Sequence, residues 1–125
     1  MTVLALVVAL ILLTALVVLQ VLVAAGQPFG RLVWGGRHRV LPWPLRAGSL
    51  AVAVVYLGFG VLLLSRAGVL PGRSDPTVGV LTWGLFGCLA LSVLANALSR
   101  SRAERWTMTP TSALLAAATF AIAVS

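Results

Sequence analysis

The sequence predicts an all-α membrane protein: a bundle of four transmembrane helices forming a single transmembrane domain over residues 1–125. Three observations predict it. Hydrophobic residues make up 61% of the chain and charged residues 9%, against about 45–50% and about 25% in an ordinary soluble domain. That leaves too little polar surface to cover a water-soluble fold. The few charges are also segregated. Arg31, Arg37, Arg39, Arg46, Arg66, Arg73, Asp75, Arg100, Arg102, Glu104 and Arg105 are the only ionic residues, and uncharged stretches separate them at residues 3–25, 47–64, 78–98 and 111–125. Finally, apolar residues run around every face of these stretches, without the single stripe of a helix half-buried in a soluble bundle.

The stretches hold 23, 18, 21 and 15 residues, which as helices reach about 34, 27, 31 and 22 Å. A hydrocarbon core of about 30 Å takes some 20 apolar residues. The first three suffice. The fourth is short unless the uncharged run from Trp106 is added to it. The expected spans are about 3–25, 47–64, 78–98 and 110–125. The first stretch also invites comparison with a cleaved leader, because Val23 and Ala25 satisfy a small-residue cleavage rule. No Lys or Arg precedes it, however, and it far exceeds an apolar leader core of about 7–15 residues. It is expected to be a retained span.

Punctuation at the segment ends supports these limits. Asp75-Pro76 and Thr109-Pro110 each place a capping side chain before a proline suited to the first helical position. Pro44 is expected to do similar duty for the second span, and Gly26 to terminate the first in a left-handed conformation. Trp34, Trp43 and Trp106 fall in or beside loops, and Trp83 about one and a half turns into the third span. These are headgroup depths, where tryptophans form an aromatic belt.

Orientation follows from the arginines. The first loop (26–46) carries four, the third loop (99–109) three, and the second (65–77) two. The positive-inside rule therefore predicts cytoplasmic first and third loops, with the N- and C-termini external. Nine arginines without a lysine, beside abundant Ala, Val, Leu and Gly, match the codon bias of a high-GC genome. A multi-pass protein of a bacterial plasma membrane is the expectation.

Two loop segments carry a resemblance. Gln27-Pro28-Phe29-Gly30-Arg31 with Trp34-Gly35-Gly36-Arg37-His38 and Leu41-Pro42, and the run from Asn96 to Arg105 followed by Met108-Thr109-Pro110, resemble short four-span membrane proteins of high-GC Gram-positive bacteria. The likeness covers most of the chain in layout and is specific in these two loops. It implies the four-span architecture and no particular activity.

Catalytic chemistry is disfavoured, and no cofactor or metal site is expected. Cys88 is the only cysteine, so one chain holds no dithiol relay. His38 is the only histidine, which rules out a bis-His haem or a zinc cluster within one chain; between Arg37 and Arg39 it reads as a solvated loop residue. Gly35-Gly36 lacks the Lys and Ser/Thr of a phosphate-cradling loop. No carboxylate or cation is expected inside a span, where ion-coupled transporters generally need one. Asp75 and Glu104 read as loop residues explained by capping and pairing with local arginines. The net charge of +7 belongs to topology and the membrane surface, with no nucleic-acid partner expected.

Two features remain. The first loop mixes Phe29, Trp34 and Trp43 with Arg31, Arg37, Arg39 and Arg46, a composition for the headgroup layer. Positive-inside anchoring explains the four arginines, and contact with anionic phospholipid headgroups is the sharper reading. In the third span Gly84, Cys88, Ser92 and Asn96 recur every four residues, widened by Gly87 and Ala95. Such a stripe permits close helix packing in lipid, within one bundle or in contact with a second copy or another membrane protein. Asn96 is expected to find a polar partner on another helix, with Gln20 the leading candidate. Two function classes follow: a non-catalytic accessory or lipid-interacting membrane component, or a small oligomeric channel or transporter with Gln20, Tyr56, Ser92 and Asn96 facing its pathway.

Overall fold

The alternation of apolar stretches and arginine-bearing loops resolves into four long helices. The computed structural model describes residues 2–125. Helix α1 spans Thr2–Ala24, α2 Trp43–Arg66, α3 Pro76–Ala97 and α4 Arg102–Val124, with two single 3-10 turns, Gly30–Leu32 and Trp34–Gly36, in the first loop. Each of the four helices is long and apolar enough to cross a membrane. Their 22 to 24 residues correspond to about 33–36 Å. The protein is an all-helical bundle of four candidate transmembrane segments.

Two of the expected boundaries follow their caps. Gly26 adopts φ +94°, Gln27 N–H donates to Leu22 O (3.0 Å) and Gly26 N–H to Val23 O (3.2 Å). This is the paired closure that a left-handed glycine permits at a helix end. The Asp75 carboxylate accepts from Thr77 N–H at 2.8 Å, with Pro76 opening α3. Helix α2 starts earlier than its uncharged run, at Trp43, with Pro42 as N-cap and Pro44 inside the first turn.

The fourth boundary corrects the expectation. Thr109-Pro110 does not begin α4; Pro110 lies inside the helix, where it removes the N–H that Trp106 O would otherwise accept. The cap is Ser101, whose hydroxyl accepts from Glu104 N–H at 3.3 Å. Ser101 and Glu104 have the spacing of a capping box. The helix thus gains two turns over the short uncharged run, and its length deficit disappears.

Helix α1 packs on α2 and on α4, and α4 packs on α3, whereas α2 and α3 touch much more lightly. Around the bundle the order is therefore α2, α1, α4, α3, with a thin seam between α2 and α3. Ala5, Ala9, Ala116 and Ala118 are buried, and such small residues let backbones approach closely. Leu13, Leu63, Leu85, Leu115 and Ile122 fill the core. Trp83, Phe86 and Phe120 lock α3 to α4, with centroids 5.5 to 6.0 Å apart. At the second-loop end, Arg66 donates to Arg73 O (2.9 Å) and Ala123 O (2.8 Å), placing a cation on the negative end of α4. Outward side chains such as Val54, Val80 and Leu91 stay more than half exposed, as a lipid-facing surface requires.

Candidate functional site: a polar cavity beneath the first loop

At the end of the bundle that carries the first and third loops, the helices line a cavity of about 370 Å³. Gln20 enters it from α1, Tyr56 and Phe59 from α2, Cys88, Ser92 and Asn96 from α3, Glu104 and Ser112 from α4, and Trp34 from the first loop. Cys88 and Ala95, both on its wall, are exposed, so the cavity reaches the lipid-facing surface along α3, beside the seam with α2. Toward the second loop it ends on Leu16, Phe59, Leu89 and Leu115, beyond which Thr82 and Thr119 are buried in a mainly apolar core.

The four polar residues expected to face a pathway, Gln20, Tyr56, Ser92 and Asn96, thus converge on one cavity within a single chain. The expected partnership between them does not form. Asn96 Nδ2 donates to Ser112 Oγ at 2.7 Å and toward Met108 O at 3.5 Å. Its partner is on α4, the helix that packs most closely against α3. The Gln20 amide lies beside the Tyr56 hydroxyl, and its Oε1 is buried without a hydrogen-bond partner.

The α3 stripe is also placed differently from an internal seam. The residues α3 buries are Thr82, Leu85 and Leu89. Gly84 and Cys88 are exposed, Ser92 and Asn96 half-buried. A Cβ at Gly84 or Gly87 would meet nothing within 4 Å, so neither glycine is there for close packing within the chain. The Ser92 hydroxyl donates to Cys88 O (3.0 Å) in its own helix. Of the four, only Asn96 bridges two helices.

Glu104 is the residue whose environment departs furthest from expectation. It is neither a solvated loop carboxylate nor an arginine partner. It lies in the first turn of α4 at 8% exposure, and its Oε2 accepts Gly35 N–H at 3.0 Å. In a capping box the acid returns to its own N-cap; here it reaches across to the first loop. Ser101 Oγ makes the companion contact, donating to Arg31 O at 2.6 Å. Two bonds thus seat the first loop on the start of α4.

That loop also holds Trp34 in a left-handed conformation, φ +52°, which is uncommon for a bulky residue. The indole Nε1–H donates to Ser49 Oγ at 2.9 Å, and the ring lies against Gly48, where a Cβ would approach it to 3.1 Å. Trp34 is therefore more than a belt residue: it forms part of the cavity wall. Gly30 is equally constrained, since a Cβ there would collide with the His38 and Arg39 carbonyl oxygens.

Of the four arginines expected at lipid headgroups, Arg31, Arg37 and Arg39 are exposed. Arg46 is half-buried, donates from Nε to Leu41 O at 2.9 Å and covers Gly26 with its guanidinium. It braces the loop. Glu104, Trp34 and Ser112 were not singled out as site residues from sequence. The Ser101-x-x-Glu104 spacing was the readable signal for the first, and Trp34-Gly35-Gly36 the signal of a turn for the second. Ser112 carried no signal. No family model, curated protein or solved structure matches the chain.

Proposed function

We propose that the protein is a non-catalytic, lipid-interacting component of a bacterial plasma membrane, which holds an amphipathic molecule in the cavity beside the α2–α3 seam. The observation that carries this reading is the cavity's polarity gradient. Gln20, Asn96 and Glu104 lie toward the loop end, Phe59, Leu89 and Leu115 at the floor, and exposed Cys88 and Ala95 on the wall that faces lipid. A molecule with a polar head and an apolar body matches that arrangement. The first and third loops face the cytoplasm in this reading, so the cavity lies in the inner leaflet. There the exposed Arg31, Arg37 and Arg39 meet anionic phospholipid headgroups.

A non-catalytic role is favoured because the single histidine, His38, is exposed in the first loop, and Glu104 is engaged with Gly35. A channel or transporter is the second reading, favoured by the convergence of Gln20, Tyr56, Ser92 and Asn96. Against it stands the apolar floor, which would need to open or to be bypassed in an oligomer. The outward-facing Gly84 and Gly87 are where a second copy or another membrane protein would pack closely.

Native mass spectrometry of the full chain, purified in a mild detergent, tests the first reading. A bound amphiphile is expected, and Ser92→Phe, which fills the cavity, should abolish it. Equal retention by Ser92→Phe would reject the cavity as the site. Solute passage through liposomes containing the protein, blocked by the same substitution, would favour the second reading instead.

A further inference from the structure

The hydrogen-bonding inventory of the cavity specifies what kind of head it takes. Three of its donors are committed, and the Tyr56 hydroxyl and the Gln20 amide lie side by side among them. Asn96 Nδ2 serves Ser112 Oγ and Met108 O, Trp34 Nε1 serves Ser49 Oγ, and the Ser92 hydroxyl serves Cys88 O. One buried acceptor has no partner. Gln20, 6% exposed, has an Oε1 with no donor, and a buried amide oxygen left unpaired is costly. With its two N–H groups engaged inward, Asn96 offers Oδ1. Glu104 is bonded only to neutral partners, Gly35 N–H and the Ser99 hydroxyl. Neighbouring Arg105 is turned to Ser99 O.

In a chain of net charge +7, the wall of this cavity carries a carboxylate and, among the described residues, no cation. An anionic head would meet that carboxylate and a set of acceptors. An ammonium brings N–H donors without acceptors, and Trp34 and Tyr56 on the wall add aromatic faces that attract a cation. The axis is also set. Glu104 and Leu115 are eleven residues apart on α4, about 16 Å of helix, with the carboxylate at the loop end and Leu115 at the apolar floor.

We propose that the cavity binds the ammonium head of an amphipathic amine, with Glu104 as its counter-ion and Gln20 Oε1 accepting one of its N–H groups. This rests on the reading of the cavity as an amphiphile site and narrows the ligand. Two sources supply the chemistry: the ammonium of an aminophospholipid in the bilayer, or a free lipophilic amine.

Cys88, the single cysteine, is exposed and lines the cavity, so its alkylation by a maleimide reports occupancy. The full chain is placed in phosphatidylcholine nanodiscs and titrated with dodecylammonium, with dodecyl sulfate, or by including phosphatidylethanolamine. Dodecylammonium is expected to slow Cys88 alkylation saturably. Glu104→Gln, which keeps an oxygen for Gly35 N–H, should weaken that protection at least tenfold, and Gln20→Leu severalfold. Gln20→Leu also tests the assignment by itself should Glu104→Gln fail to fold. Protection by phosphatidylethanolamine identifies the lipid source, and protection by dodecylammonium alone identifies a free amine. If dodecyl sulfate protects as well as dodecylammonium, or both variants bind like the parent, the ammonium assignment falls while the amphiphile cavity stands. If no amphiphile protects Cys88, both fall.

Discussion

Asn96 and Ser112 form the side-chain bond between α3 and α4, and a double-mutant cycle on this pair tests the packing order most directly. Asn96→Leu removes the Nδ2 donor 2.7 Å from Ser112 Oγ and leaves a hydroxyl that can turn to its own backbone, as Ser92, Thr82 and Thr111 do. That escape keeps the cost of the single change near 1 kcal/mol, within the usual range for a hydrogen bond. The coupling between Asn96→Leu and Ser112→Ala should be about 0.6 kcal/mol, the membrane average, and no more than about 1.7 kcal/mol. Asn96→Leu and Gln20→Leu should instead add to within about 0.5 kcal/mol, as changes that share no bond do. Reversible unfolding of the full chain in mixed micelles, as the SDS fraction rises, supplies the free energies. Tryptophan fluorescence reports the transition, with Trp83, against Phe120 across the same helix pair at 5.7 Å, one of four contributors. Additivity of Asn96 with Ser112, or coupling of Asn96 with Gln20, would refute the α3–α4 assignment and return the amide to the α1 side of the cavity.

Four further outcomes are expected. Reporter fusions at Arg37 and Ser101 should behave as cytoplasmic and fusions at Arg73 and after Ser125 as external; the opposite pattern would invert the bundle and put the cavity in the outer leaflet. Replacing Arg31, Arg37 and Arg39 by Gln should reduce co-purified anionic phospholipid, at about 1 kcal/mol per basic residue near the surface. Arg46→Gln should instead loosen the first loop, read as faster amide exchange at Gly26 and Gln27, whose N–H groups close α1. Arg66→Gln should destabilise the bundle by about 1–3 kcal/mol, since two charge-assisted bonds to Arg73 O and Ala123 O are lost; an unchanged SDS midpoint would show that water caps α4 equally well.

What the sequence could tell about this fold depended on which physical signal each element carried. Helices α1 and α3 were legible end to end because each is an uncharged run of membrane-spanning length closed by a cap with its own signature, Gly26 in one case and Asp75-Pro76 in the other. Helix α4 was not, because Arg102, Glu104 and Arg105 look like loop and Pro110 looks like a start. The competing signal, Ser101-x-x-Glu104, was present and was outweighed by charge. The polar cavity residues in mid-span were also legible, since a Gln, Tyr, Ser or Asn among aliphatic residues stands out. Their pairing was not. Gln20 and Asn96 both approach the loop ends of their spans, but nearness in depth does not make two side chains adjacent, because the lateral order of helices depends on which faces interlock. Here small residues on α1 and α4 bring those two together, and α3 is left against α4.

The first loop shows why Glu104 and Trp34 have to be understood together. A tryptophan at φ +52° costs of order 1–3 kcal/mol, and the following Gly35 and Gly36, at φ +74° and +72°, supply the only residue type that turns the chain there cheaply. Gly36 N–H closes the turn on Val33 O at 2.9 Å, and three side-chain bonds hold it: the indole to Ser49, Gly35 N–H to Glu104, and Ser101 to Arg31 O. At about 0.5–1.5 kcal/mol each, they are comparable to the strain they offset. The contact that fixes the Glu104 carboxylate at the head of the cavity is thus one of those that keep the Trp34 ring on its wall. A change in the charge or hydrogen bonding of Glu104 is felt first by the loop above it.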